Sequence, residues 1–205
     1  SGCEQRGAMP AVSGDSNAKG TMRLLDNESV HLRRPEPADI EMMYRYRNDP
    51  QIVASLGYFS RGFARADIAD WIESHRKNQE DLVWTISDRD DRCIGHCGLY
   101  KINLRNGVAA IGICIGDESF RSKGVGKMIL CRMIEYAFQQ LNLRKIRAEV
   151  LASNQPARNL FTKLGFETEA ILREYKYRNW QYLDLHILGL FRSQWQAGQA
   201  PWRSQ

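Results

Sequence analysis

The chain has 205 residues, 43% of them hydrophobic, and this length suits one domain with a substantial core. Its 29 basic and 24 acidic side chains give a net charge of +5, which favours an anionic ligand. No basic helix or Lys/Arg tract supports nucleic-acid binding, and no apolar run approaches the length of a membrane span.

The five cysteines are scattered and odd in number, unlike a disulfide framework, so we expect a reducing, cytoplasmic location. The segment from Cys93 to Cys97 includes His96 and could suggest a metal site. Adjacent strand residues point to opposite faces, however, and no second ligand pair exists elsewhere in the chain. No metal is therefore expected.

In chain order, the sequence divides into a tail at 1–21 that is disordered or vector-derived, a single domain at 22–197 and a tail at 198–205. Hydrophobic periodicity within the domain predicts an α/β fold. Strands are expected at residues 30–33, 82–87, 93–100, 108–115, 146–151 and 182–191, and helices at 37–48, 66–79, 127–138 and 155–164. The dipeptide at 106–107, Asn-Gly, predicts a hairpin turn between two of the strands.

A short loop of glycine and basic residues lies between the strand at 108–115 and the helix at 127–138. It reads Arg121-Ser-Lys-Gly-Val-Gly126. Glycine lets the backbone approach an anion closely, and the first turn of the next helix offers unpaired N–H groups and the positive end of its dipole. The pattern favours a phosphate site over a plain basic turn.

The helix at 155–164 has both of its ends marked in the sequence. Ser153 or Asn154 suits the N-cap, Pro156 lies in the first turn, and Gly165 follows the last periodic apolar residue. This helix follows the strand at 146–151 directly. Residues 146–166 therefore form a block that contains a strand, an asparagine, a helix and a Gly-Phe pair, in that order.

The Arg-x-x-Gly-x-Gly loop and this second block together resemble the GNAT superfamily of acyl-CoA N-acyltransferases, over roughly residues 30–195. The resemblance implies the GNAT fold: a mixed, mostly antiparallel sheet of about six to seven strands flanked by about four helices. Segments 47–50, 141–146 and 169–184 resemble the branch of ribosomal-protein N-terminal acetyltransferases and their amino-sugar and polyamine relatives.

The resemblance also implies an acetyl-CoA site along the central strand. In the family a bulge near the end of that strand frees a backbone N–H for the acetyl carbonyl, which maps to Gly112, Ile113 and Cys114 and gives Cys114 a catalytic role. The implied cofactor-binding residues are Ile113, Cys114, Ile115, Arg121, Ser122, Lys123, Gly124, Val125, Gly126, Asn154, Arg158 and Phe161.

Transfer to an alkylamine requires a base, because an amine with a pKa near 10.4 costs about 4 kcal/mol to deprotonate at neutral pH. Glu149 is the predicted catalytic base, since its Ala-Glu-Val-x-Ala-Ser-Asn context resembles that of the base in ribosomal N-terminal acetyltransferases. Many relatives carry a glutamate on the central strand, where this chain has Ala110. The alternative is a structural ion pair with Arg147 or Lys145. Weaker candidates for the base are His96, Glu118 and His186.

Phe161 departs from the family pattern. Many GNAT enzymes carry a tyrosine at this position, which protonates the leaving thiolate. Phenylalanine has no proton to give, so that role is absent or moved. The loss is tolerable because a thiol with a pKa near 8.5 is already a fair leaving group.

The acceptor is expected to bind along residues 47–79 and near Tyr182. Tyr58, Phe59, Arg61 and Tyr182 are the predicted substrate-binding residues, because aromatic rings and arginines suit a nucleotide-linked sugar. A polyamine would require several acidic side chains, and this segment is not acid-rich. A merely solvated surface is the alternative for the arginines.

Three functions therefore compete. The first is a small-molecule amine acetyltransferase, with acetyl-CoA and a nucleotide-linked amino sugar as its favoured substrates. The second is a protein N-terminal or polyamine acetyltransferase. The third is a non-catalytic acyl-CoA-binding module, motivated by Phe161 and Ala110. A homodimer would be compatible with any of them.

Overall fold

A computed structural model describes residues 24–26, 29–56, 62–178 and 180–195, and both predicted tails lie outside these ranges. The described residues form eight strands and five α-helices. The strands are β1 (Leu25–Asp26), β2 (His31–Arg33), β3 (Leu82–Ser87), β4 (Cys93–Asn103), β5 (Val108–Ile115), β6 (Lys145–Leu151), β7 (Glu167–Arg178) and β8 (Gln181–Phe191). The helices are α1 (Ile40–Arg47), α2 (Pro50–Leu56), α3 (Arg65–Lys77), α4 (Val125–Gln139) and α5 (Gln155–Lys163).

All eight strands belong to one sheet, in the order β1-β2-β3-β4-β5-β6-β8-β7. Every neighbouring pair is antiparallel except β5 and β6, which are parallel. This arrangement confirms the predicted mixed, mostly antiparallel sheet. The sequence did not predict β7, whose residues are nearly all exposed and therefore show no alternation of buried and exposed positions.

The first predicted helix is shorter than expected and is followed by a second one. A 3₁₀ turn at Pro37–Asp39 precedes α1, which ends before Asn48. The side chain of Asp49 then accepts hydrogen bonds from the first turn of α2, which begins at a proline. This Asp-Pro start makes five α-helices where about four were expected.

The sheet has a hydrophobic layer on each face. On one face, α4 buries Ile129, Leu130, Met133 and Ile134 completely against the main core. Complete burial of one such side chain contributes about 1.5–3 kcal/mol. On the other face, α1 and α3 enclose a smaller core in which Met43 and Ile68 are fully buried.

The predicted hairpin turn is present between β4 and β5. Gly107 has a φ of +63°, and its N–H donates to the carbonyl of Leu104 at 3.3 Å.

Cys93, Cys97, Cys114 and Cys131 are all buried free thiols. Within the described ranges, no group of three or more His, Cys, Asp or Glu side chains could hold a metal ion, and no helix has the length and apolar character to cross a membrane.

Candidate active site

The central parallel pair of strands diverges and opens a slot in the sheet. β5 and β6 pair only from Val108 with Lys145 to Ala110 with Arg147. Beyond this point β5 continues to Ile115 beside β4, and β6 continues to Leu151 beside β8. A cavity of about 220 Å³ lies in the slot. The two strands therefore splay apart beyond Ala110 and Arg147.

One edge of the slot is a row of backbone N–H groups on β5 that face away from β4. The N–H of Gly116 donates to the carbonyl of Ile94 at 2.8 Å, so it points toward β4. Because N–H groups alternate along a strand, those of Ile113 and Ile115 point the other way, into the slot. An extended chain that carries amide groups, such as the pantetheine arm of acetyl-CoA, could therefore lie along β5 as an added strand.

The predicted bulge at 112–114 is absent, which corrects the role given to Cys114. The β4–β5 register runs without interruption from Gly95 with Ile115 to Tyr100 with Ala110. The Cys114 N–H therefore points into the β4 ladder, and burial raises the pKa of its thiol to about 12. Gly112 has a packing role instead: a Cβ there would lie 3.3 Å from the ring of Tyr100. The candidate oxyanion donor is the N–H of Ile113.

The glycine-containing loop lies beyond the end of β5, as predicted. Gly124 is the N-cap of α4 with a φ of +81°, a left-handed conformation that favours glycine. The first helical hydrogen bond of α4 runs from Met128 N–H to Gly124 C=O. The N–H groups of Val125, Gly126 and Lys127 therefore lack helical acceptors and form an anion-binding end.

Arg121 holds this loop against the strand. Its Nε donates to the carbonyl of Ile115 at 3.0 Å and its Nη2 to that of Gly116 at 3.1 Å, while Nη1 contacts Glu118 at 3.3 Å. Because these contacts occupy the guanidinium, we interpret Arg121 as a positioning residue. Ser122 and Lys123 are exposed beside the N-terminus of α4 and remain candidate phosphate contacts.

The opposite wall of the slot is formed by β6 and α5. Asn154 is the N-cap of α5: its Oδ1 accepts from Ala157 N–H at 3.1 Å, as expected for a capping residue. Its Nδ2 donates to the carbonyl of Ser55 at 3.0 Å and so ties α5 to α2. Arg158 donates to the carbonyl of Ala152. Phe161 is buried in the wall, with its ring 5.0 Å from that of Phe166.

Two titratable side chains that could accept a proton line the slot. Glu149 is 43% exposed, and its Oε1 lies 3.1 Å from Nη2 of Arg147. His96 is buried, with Nδ1 2.8 Å from the Tyr46 hydroxyl. Burial, assisted by the nearby charge of Arg47, lowers the pKa of His96 to about 3. A base this weak would remain neutral, so Glu149 is the better proton acceptor.

The predicted acceptor residues are only partly accounted for. Tyr58, Phe59 and Arg61 lie outside the described residues. Tyr182 is 64% exposed, packs its ring 5.1 Å from that of Tyr177, and does not line the slot. Further lining side chains that sequence reasoning missed are Ser55, Leu56, Tyr100, Lys176 and Leu185.

Comparison with known proteins agrees with this geometry. A family model described as an acetyltransferase (GNAT) domain matches residues 29–167. An L-amino acid N-acetyltransferase of Escherichia coli is 33% identical over 164 residues, covering 78% of this chain and 96% of that protein. A spermidine N(1)-acetyltransferase of Vibrio cholerae is 25% identical over 170 residues, covering 82% of this chain and 96% of that protein.

The fold also matches a solved structure. The crystal structure of a spermidine N-acetyltransferase from Vibrio cholerae, in complex with CoA and spermine, superposes with a TM-score of 0.75 at 24% identity. The match covers 82% of this chain and 98% of that chain. These comparisons confirm the predicted fold, the acyltransferase class and acetyl-CoA as co-substrate. The chain belongs to the GNAT family of N-acetyltransferases.

Proposed function

We propose that this protein transfers the acetyl group of acetyl-CoA to a primary amine of a small molecule, within the slot between β5 and β6. The observation that carries the proposal is the order of groups along this slot. The carboxylate of Glu149 lines it together with Gly112 and Ile113, the N–H groups of Ile113 and Ile115 face into it, and the N-terminus of α4 follows the end of β5. A thioester arm and its pyrophosphate require these groups in this order.

The reaction divides among the residues of the slot. Acetyl-CoA supplies an activated carbonyl with a thiolate leaving group. The N–H of Ile113 would donate to the carbonyl oxygen as negative charge develops there. Glu149, directly or through a water, would take the proton that the ammonium form of the acceptor must lose. Phe161 provides an apolar wall and no proton, so the leaving thiolate would take its proton from the solvent or from the cationic nitrogen of the tetrahedral intermediate, which loses that proton as the amide forms.

The set of candidate acceptors is smaller than the set that the sequence alone predicts. The comparisons do not support a nucleotide-linked amino sugar, and the named relatives act on polyamines or L-amino acids. Among the described residues that line the slot, Glu149 and Lys176 are the charged side chains, so their charges balance. This lining lacks the several carboxylates that a polyamine site would need. A polyamine, the substrate in the name of one relative, or a protein N-terminus is the alternative acceptor.

The proposal is tested by following CoA thiol release from acetyl-CoA with spermidine, L-amino acids, linear alkylamines and N-terminal peptides. Glu149→Gln should lower kcat about 100-fold or more, the usual contribution of a general base, and leave CoA binding unchanged. Glu73→Gln is the matched control, because Glu73 is paired with Arg76 on the surface of α3. Full activity of Glu149→Gln would remove Glu149 from the mechanism, and no turnover with any amine would contradict the proposed function.

A further inference from the structure

A second cavity, which the proposed function does not use, lies on the α1 and α3 side of the sheet. Its volume is about 350 Å³. Its described lining side chains are Arg47, Phe63, Asp67, Asp70, Trp71 and Ser74. Arg47 is the last residue of α1 and the first of the Arg-Asn-Asp-Pro segment, and the proposed reaction does not involve its side chain.

The guanidinium of Arg47 is held between two aromatic rings. Its central carbon lies 4.9 Å from the ring centre of Phe63 and 4.7 Å from that of Trp71. Among the described residues no acceptor bonds to it, and its Nη1 is buried without a partner. A buried cationic donor without an acceptor is unfavourable, and ring contacts compensate only in part. Among the described residues, the arrangement therefore leaves the Arg47 cation without an ion-pair partner.

The acidic side chains of the cavity do not neutralise this cation. Asp67 accepts from the N–H of Ala64 at 2.7 Å and so caps the N-terminus of α3. Asp67 and Asp70 are exposed at the rim, whereas Arg47 and the two rings are partly buried. The described residues show no ion pair between Arg47 and either carboxylate. The rim is thus acidic and the inner end cationic.

This cavity adjoins the acetyl-transfer slot. The ring of Trp71 lies 5.3 Å from that of His96, and His96 lines the slot. A single indole ring therefore lies between the Arg47 guanidinium and a wall of the slot. An acceptor whose amine lies at the thioester could place a second group at Arg47 only if several bonds separated the amine from that group.

We propose that Arg47 binds an anionic group of the acceptor, so that the enzyme selects primary amines carrying a carboxylate or phosphate several bonds away. This inference rests on the proposed function and narrows its substrate class. The planar guanidinium, with two parallel N–H donors, matches both carboxylate and phosphate. A polyamine, which is cationic at both ends, would instead meet a like charge at the inner end of the cavity.

The test is a ladder of linear acceptors of increasing length. The kcat/KM of ω-amino carboxylates, from glycine to 6-aminohexanoate, is compared with that of alkylamines and diamines of matched length. We expect kcat/KM of the acids to rise along the series, and the longer acids to exceed the matched alkylamines about 10- to 100-fold, as for a charged hydrogen bond. Comparing glucosamine with glucosamine 6-phosphate tests phosphate as the anion.

Variants of Arg47 distinguish a role in binding an anion from a purely structural role. Arg47→Met should abolish the preference for acids, mainly through KM, while alkylamine turnover persists; Arg47→Lys should keep part of the preference. Arg45→Met is the control, because Arg45 is exposed on the same helix. A wild-type preference for diamines, or an equal loss for acids and alkylamines in Arg47→Met, would overturn this inference alone. Intact CoA binding with no turnover of any amine would overturn the proposed function as well.

Discussion

Two glycines at the N-terminus of α4, Gly124 and Gly126, should differ in how substitution by alanine changes the stability of the free protein. This contrast tests the phosphate site at that end of the helix. Gly124 has a φ of +81°, and a Cβ there would meet nothing within 4 Å. Gly124→Ala therefore costs only the strain of a left-handed alanine, about 1–2 kcal/mol. We expect that loss in the free energy of unfolding of the free protein.

Gly126 lies in the first turn of α4 in ordinary helical geometry. A Cβ there would lie 3.5 Å from Leu160 and 3.6 Å from Ile115, which are ordinary contacts. Because alanine favours helices over glycine, Gly126→Ala should leave the free protein as stable as the wild type or stabilise it by up to about 1 kcal/mol. The methyl group would, however, obstruct the approach of a pyrophosphate to the helix.

The assay pairs urea unfolding of the free protein with CoA titration by calorimetry. We predict that Gly126→Ala binds CoA at least 10-fold more weakly than the wild type although it is not destabilised, whereas Gly124→Ala is destabilised. Dephospho-CoA should show the same loss, because its pyrophosphate is intact. Wild-type affinity in Gly126→Ala would refute the close approach of the pyrophosphate to α4.

Two further predictions concern side chains of the slot. The pKa of His96 is lowered in the folded protein. The unfolded chain therefore binds a proton on this side chain below about pH 6.5, whereas the folded protein binds it only below about pH 3. His96 should therefore lower the free energy of unfolding with decreasing pH across this window, by up to about 1.4 kcal/mol per unit, and His96→Gln should reduce the slope by that amount in urea titrations above about pH 5, where the carboxylates contribute least. Unchanged slopes would contradict a neutral His96. Phe161→Tyr should keep kcat within about 10-fold of the wild type in the thiol-release assay, because the reaction proceeds without a proton from this position; complete loss would mean that the wall tolerates no hydroxyl.

Features set by short-range chemistry were predictable from the sequence. Gly124 and Asn154 lie where the loop and capping patterns place them, because left-handed φ values and N-caps depend on adjacent residues. The parallel pairing of β5 with β6 follows from the helix between them.

Features set by tertiary packing were not predictable from the sequence. β7 has too little buried surface to produce a periodic pattern. Lys176 reaches the slot from an irregular part of β7, where the register with β8 shifts between Leu172 and Lys176. Gly112 resembles a bulge residue in sequence, yet its small size accommodates the ring of Tyr100, which no local pattern reveals.

The central claim is that the pantetheine arm of acetyl-CoA lies along the edge of β5 that faces the slot. Amide hydrogen exchange measured by NMR, with and without CoA, tests it residue by residue. In the free protein the N–H groups of Gly112 and Cys114 should be protected by the β4 ladder, whereas those of Ile113 and Ile115 should exchange fast. CoA should slow the exchange of Ile113 and Ile115. Protection of all four without CoA, or no change at Ile113 and Ile115 when CoA binds, would contradict the account.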